Sequence, residues 1–211
     1  MWLHAFSEGV GQASRAFELP LVGGDTTRGS LTISVQVLGG VPEGDGLLRS
    51  GARPGDRLCV SGTLGDAAAG LALESGGISL EPDAAEYLSA RFYRPAPRLQ
   101  LGQQLLGRAS SCIDISDGLL ADAGHLASAS GVAISIEADR LPLSHALAGL
   151  EDRKKVLNWA LTGGDDYELC FTLPADTSVP SGCSVVGTVS AGEGVSCDSG
   201  LSDGGSGFQH F

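Results

Sequence analysis

The chain has 211 residues, and 25 Asp and Glu stand against 13 Lys and Arg, for a formal net charge of −12. Hydrophobic residues make up 42% and charged residues 18%, too apolar and too weakly charged for a disordered chain. The acidic balance argues against a nucleic-acid surface or an anionic membrane as partner, and no apolar stretch approaches the roughly 20 residues that span a bilayer. Cys59, Cys112, Cys170, Cys183 and Cys197 are odd in number and show no CxxC spacing, which fits a reducing cytoplasm with neither a disulfide framework nor a zinc site. The opening Met-Trp-Leu-His-Ala-Phe has no basic start, so a secretory signal is not expected.

In chain order, residues 2–17 read as a helix. Leu31, Ile33, Val35 and Val37 then alternate with polar residues, the period of two that marks a half-buried strand. The Gly- and Pro-rich stretch that follows lacks periodicity and reads as a linker over 41–55. Beyond it, strands are expected at 58–60, 112–115, 132–136, 167–173 and 183–189, with helices at 66–73, 83–92, 98–106, 119–129 and 152–161. Pro95 and Pro97 end the second of these helices, because proline cannot continue a helix interior. The Gly/Ser/Asp-rich tail from 191 to 207 reads as loop. Helices and strands are mixed rather than strictly alternating, so the fold class is α+β. One helix and one strand cannot bury a core alone, so residues 1–40 are expected to be the C-terminal remnant of an N-terminal domain, with 56–211 as the C-terminal domain.

Ile113-Asp114-Ile115-Ser116-Asp117-Gly118-Leu119 is the most informative segment. Asp114 interrupts an apolar strand on the same face as Ser116, and Asp117 lies at the turn into a helix. Two acids and a hydroxyl at a helix N-terminus suit a hard divalent cation and a phosphate. Ser116 and Asp117 suit an ordinary helix cap equally well, whereas an acid in a buried strand is costly unless it is paired or bound to metal. Gly23-Gly24-Asp25-Thr26-Thr27-Arg28-Gly29 is a glycine turn carrying an acid, and such turns are common loop chemistry. Thr162-Gly163-Gly164-Asp165-Asp166-Tyr167-Glu168 repeats Gly-Gly before acids, open to reading as a solvated turn or a site. Ser61-Gly62-Thr63-Leu64-Gly65-Asp66 lacks the Gly-Lys-Ser/Thr of a Walker A loop, and its glycines suit tight strand-to-helix packing. Arg49 is either a solvated side chain or a phosphate clamp.

The order of these motifs, together with Arg-Ser-Gly-Ala-Arg-Pro-Gly-Asp and Arg-Phe-Tyr-Arg-Pro-Ala-Pro-Arg between them, closely resembles the thiamine-monophosphate kinase family over nearly the whole chain. The resemblance implies ATP-dependent phosphorylation of thiamine monophosphate to thiamine diphosphate with several Mg²⁺ ions. It also implies a homodimer when full length and the fold of the aminoimidazole-ribonucleotide-synthetase-like superfamily: a partial N-terminal α/β domain, then a C-terminal α+β domain. Carried over by motif, Gly24, Asp25, Arg49 and Ser116 would meet ATP, and Asp25, Asp114 and Asp117 would hold Mg²⁺. Asp165, where the family more often has Glu, and Phe208 would face the thiamine substrate. No general base is implied, because the attacking group is already an anionic phosphate oxygen. The family's further N-terminal aspartates and histidine have no counterpart here, so a truncated chain is expected. Alternatives are another superfamily member, of selenophosphate synthetase or purine cyclo-ligase type, or an inactive nucleotide-binding fragment. The Gly-Gly-Asp-Asp-Tyr-Glu-Leu segment favours the thiamine branch.

Overall fold

The apolar runs at 57–61, 111–114 and 169–173 form strands that are buried on both faces. The computed structural model describes residues 2–199, which fall in two units that meet between residues 41 and 42 of the chain. In the larger unit six strands form one sheet in the order β2-β4-β1-β5-β3-β6. They are β1 (Arg57–Ser61), β2 (Ser111–Asp114), β3 (Ala133–Ile136), β4 (Leu169–Leu173), β5 (Cys183–Ser190) and β6 (Gly194–Cys197). All neighbouring pairs are antiparallel except β3 with β6. Successive residues of β1 serve opposite layers. Leu58 and Val60 join a core with Ile113, Ile115, Leu126, Leu161 and Cys170, while Cys59 joins Leu105, Cys112, Phe171 and Leu173 on the other face. A strand covered on both sides keeps no polar alternation, which is why these strands read as continuous apolar runs.

The helices of this unit are α2 (Asp66–Glu74), α3 (Pro82–Tyr93), α4 (Leu99–Leu105), α5 (Leu119–Ser130), α6 (His145–Ala148) and α7 (Arg153–Thr162), with a single 3₁₀ turn at Ala138–Arg140. Leu119, Ala123, Leu126 and Ala127 recur at helical spacing and bury α5 on the sheet. Ala69 of α2, Leu88 of α3, Leu147 of α6 and Val156 of α7 form a separate helical cluster, with Trp159 packed at its edge. The α+β class holds. The 191–207 stretch is not all loop, because Gly194–Cys197 pairs in parallel with β3.

The smaller unit contains α1 (Trp2–Ala16), with Trp2 stacked on Phe6 at 5.4 Å. The expected strand over Leu31–Val37 is not one: this segment has no partner strand among the described residues, and Leu31, Ile33, Val35 and Val37 are exposed. A period of two shows which residues share a face, but a ladder also requires a neighbour with which to exchange hydrogen bonds.

Gly65 sits at the entry to α2 with φ +84°, and a Cβ there would meet the Ala160 N at 2.8 Å. The start of α2 can therefore approach α7 this closely only at glycine. Gly65→Ala is expected to cost more than about 1 kcal/mol of stability through strained φ and backbone overlap. Gly124→Ala, inside α5 where a Cβ meets nothing within 4 Å, is expected to add about 0.5–1 kcal/mol. Urea unfolding of both variants checks the opposite signs.

Candidate functional site

The site is built where the end of β2 and the approach to β4 run side by side. Backbone pairing continues past the strands: Ile115 N donates to Glu168 O at 2.8 Å, Tyr167 N to Ile115 O at 2.9 Å and Asp165 N to Ser116 O at 3.0 Å. The two acid-bearing segments found in the sequence, 113–119 and 162–168, are thus zipped together. Exposure alternates along the first, with Asp114 outside, Ile115 buried and Ser116 half-buried. The expectation that Asp114 is a buried strand acid is corrected here. It is the last residue of β2, where the strand emerges into solvent.

The helix-cap reading of Ser116 and Asp117 is also displaced. The residue before α5 is Gly118, with φ +103° and no side-chain cap, and the cap is supplied from inside the helix. Asp122 Oδ2 accepts from Ser116 N at 3.0 Å and from Asp117 N at 3.1 Å. Burial pushes the Asp122 carboxyl up, against the pull of these two N–H groups and with the help of the Asp117 and Asp114 charges. Among the described residues, the Asp114 and Asp117 carboxylates and the Ser116 hydroxyl have no hydrogen-bond partner. Oxygens of Asp117 and Asp122 and a ring nitrogen of His125 lie within 4.8 Å of one another. Unpartnered carboxylates crowded on one loop are an oxygen donor set of the kind that holds a hard divalent cation.

The second segment is held from behind by acids that the sequence did not single out. Asp166 points inward and its carboxylate accepts from Gly65 N at 2.6 Å and Ala67 N at 3.1 Å, at the start of α2. Burial raises its carboxyl to about 7, against those two N–H groups. Glu168 is fully buried. It accepts from Ser61 Oγ at 2.5 Å, Arg91 Nη2 at 3.0 Å and Arg98 Nε at 2.6 Å, with a second bond from Arg98 Nη2. The Arg-Phe-Tyr-Arg-Pro-Ala-Pro-Arg motif therefore supplies the cations for a buried acid. Asp165, just before the first anchor, is half-buried, and Tyr167, between the two, is exposed; their φ are +66° and +50°. A small cleft lined by Ala67, Ala68, Leu71, Phe92 and Gly163 leads to Asp165.

The structure thus brings Asp114, Ser116, Asp117 and Asp165 together. The Arg49 backbone runs beside the start of β2 and the end of α5: Arg49 O accepts from Ser130 Oγ at 3.3 Å, and the neighbouring Leu48 O accepts from Cys112 N at 2.8 Å, two residues before Asp114. Gly24 and Asp25 lie in the smaller unit, where Asp25 Oδ1 accepts from Thr26 N at 2.7 Å. Phe208 lies outside the described residues.

This fold, with its glycine-bounded acid loops, is that of a defined family. The chain belongs to the AIR synthase related protein family: the C-terminal domain of that family matches residues 53–198 and its N-terminal domain matches residues 1–41. Within it, the chain is similar to the thiamine-monophosphate kinase of Salmonella typhimurium, 46% identical over 174 residues, which are 82% of this chain and 54% of the relative. It is also similar to two solved structures. The thiamine-monophosphate kinase from Stenotrophomonas maltophilia K279a is 42% identical with a TM-score of 0.70, over 75% of this chain and 55% of that one. AaThiL complexed with AMPPCP and TMP is 40% identical with a TM-score of 0.71, over 78% and 54%. The chain spans about half the length of the curated relatives it matches.

Two outcomes follow for the buried acids. Arg91→Met leaves Glu168 and the fully buried Asp66, whose Oδ2 is 3.5 Å from Arg91 Nε, without their shared cation. It is expected to cost about 3 kcal/mol or more, read as a fall in the urea midpoint, and Arg91→Lys is expected to recover only part because one ammonium cannot serve both acids. For Asp166, the native state keeps a proton that the unfolded chain releases between pH 3.8 and about 7. Its contribution to stability therefore falls as pH rises through that window. Asp166→Asn is expected to flatten this slope in unfolding curves taken across the same range.

Proposed function

We propose that the whole protein transfers the γ-phosphoryl group of ATP to thiamine monophosphate, forming thiamine diphosphate and ADP. The reading is carried by the unpartnered oxygens of Asp114, Ser116 and Asp117 beside Asp165, in a chain whose relatives carry this kinase name. In this reading Asp25, Asp114 and Asp117 are Mg²⁺ ligands, and Gly24, Asp25, Arg49 and Ser116 bind ATP. The all-oxygen, net-negative character of the 114–117 loop fits the metal, and the proposed nucleotide contact of Arg49 rests on the motif alone. Asp165 meets the thiamine substrate, which carries an aminopyrimidine ring and a separate cationic thiazolium ring, and a small cleft adjoins this carboxylate. Phe208 is proposed as a further substrate contact.

Phosphoryl transfer requires positioning and charge neutralisation more than covalent help from the protein. A terminal oxygen of thiamine monophosphate attacks the γ-phosphorus in line, the bond to the β-γ bridging oxygen breaks, and ADP leaves with that electron pair. No side chain has to remove a proton from the attacking phosphate oxygen. Mg²⁺, when bound, offsets the charge on the phosphates. A homodimer in the cytoplasm completes the reading. The exposed Leu31, Ile33, Val35 and Val37 support association through the smaller unit, and five free cysteines support a reducing compartment.

Purified full-length protein given ATP, Mg²⁺ and thiamine monophosphate is expected to release ADP and thiamine diphosphate. Activity on a different superfamily substrate and not on thiamine monophosphate would overturn the reading. Asp114→Asn and Asp117→Asn are each expected to lower turnover by about 100-fold or more while leaving the melting temperature near that of the parent. Near-normal turnover in both would remove the metal role.

A further inference from the structure

The segment 164–168 is built so that successive residues do opposite jobs. Asp166 and Glu168 turn inward, one onto the start of α2 and the other between Arg91 and Arg98. Asp165 and Tyr167 turn outward, each in the left-handed region that side-chain-bearing residues rarely adopt. Positive φ at two positions in three residues is unfavourable, and it persists here because the anchors at Asp166 and Glu168, with the bonds from Asp165 N to Ser116 O and from Tyr167 N to Ile115 O, over-determine the backbone. It places the Tyr167 hydroxyl 3.0 Å from Asp165 Oδ1, to which it donates. Among the described residues no other side chain is hydrogen-bonded to the Asp165 carboxylate.

The surroundings make this contact consequential. The phenol of Tyr167 is pushed up by burial first, then by its bond to Asp165, with the Asp114 and Asp117 charges adding to the effect. Tyr167 thus stands among the acids of both segments. The Asp165 carboxylate is the acid proposed to meet substrate, and it lies beside the acids proposed to hold metal. An unrestrained carboxylate in that position would be drawn to any cation held by Asp114 and Asp117, and so lost to the substrate. A neutral hydroxyl donor fixes its direction without cancelling its charge, as an Arg or Lys partner would.

We infer that Tyr167 is a positioning residue for Asp165: its hydroxyl holds the Asp165 carboxylate toward the substrate's heterocycle and away from the metal-binding aspartates. This rests on the functional reading given above. Tyr167 carries no chemistry of its own and acts through Asp165, so its effect belongs in substrate binding and not in phosphoryl transfer.

The test uses Tyr167→Phe in the full-length protein, which deletes one oxygen from a side chain that is 39% exposed. KM for thiamine monophosphate is expected to rise roughly three- to tenfold, the size of one hydrogen bond, with kcat, KM for ATP and melting temperature held within about twofold or a few degrees. In a double-mutant cycle with Asp165→Asn, the two KM effects are expected to be non-additive, because each substitution breaks the same contact. Multiplying effects, an unchanged KM, or a KM change matched by a loss of melting temperature would overturn the inference. The carboxyl ¹³C resonance of Asp165, compared between parent and Tyr167→Phe, separates this inference from the kinase reading. If the parent fails to phosphorylate thiamine monophosphate, the kinase reading fails alone. A shifted resonance would still support the positioning contact, and an unmoved one would overturn it.

Discussion

A carboxylate with no exposure to solvent holds the architecture of the site. Glu168 enters the interior at the point where β4 begins, and its two oxygens are taken by Ser61 of β1, Arg91 of α3 and Arg98 just before α4. Removing an acid and two guanidinium groups from water is expensive, and the return comes only when the lone pairs are filled in good geometry. That requirement fixes neighbouring choices. Gly62 must be glycine, since at φ +56° a Cβ would lie against the Glu168 carboxylate. Ser61 must offer a hydroxyl, which accepts in turn from Leu169 N at 2.9 Å and so locks the first residue of β4. One buried acid therefore sets the relation of α3 and α4 to the sheet, and with it the backbone of the segment that carries Asp165.

The site contains two populations of acids, and hydrogen bonding separates them more clearly than burial. Asp122, Asp166 and Glu168 are each held by backbone N–H groups or arginines and do structural work. Asp66 belongs with them: its Oδ2 accepts from Thr63 Oγ1 at 2.5 Å and from the Tyr87 hydroxyl at 3.0 Å, although its buried Oδ1 lacks a partner. Among the described residues, Asp114 and Asp117 have no hydrogen-bond partner and no ion pair. Repulsion among such groups is tolerated in a fold when it is relieved by a ligand, since a site that attracts cations must be under-neutralised without them. Behind the site, Arg91 and Arg98 are spent on Glu168 and Asp66.

Much of the larger unit was legible in the sequence because its signals are local. Apolar runs bounded by glycine became strands, and the helical spacing of Leu119, Ala123 and Leu126 became α5. What escaped was non-local. The period of two at Leu31–Val37 described a face but not a ladder, and β6 pairs through backbone in a Gly-Val-Ser-Cys stretch whose side chains give little strand signal. The acid loops were found by residue type, whereas the residues that organise them were not. Asp122 did leave a trace: it falls on the apolar stripe of α5 with Leu119, Ala123 and Leu126, where a solvent-facing acid has no place. Glu168 left a weaker one, as an acid entering an apolar strand opposite a segment rich in arginine. Its partners lie 70 and 77 residues away, and only the folded chain shows that they meet.

Asp165 shows how these layers combine. If Asp165 meets substrate as proposed, it does so with a side chain one methylene shorter than the glutamate that the family resemblance implies, so reach has to come from the backbone. A left-handed φ turns the residue outward from a strand approach whose ordinary alternation would leave its direction to the pleat. The cost of that conformation falls on a residue whose N–H is bonded to Ser116 O and whose following residues are pinned, by the start of α2 through Asp166 and by two arginines through Glu168. Loosening either anchor would let φ relax and carry the carboxylate off its line, with no change to the residue itself. The direction of this one acid is therefore a property of the buried charge network behind it, and the short side chain makes that dependence stricter, because it has fewer rotatable bonds with which to correct an error in the backbone.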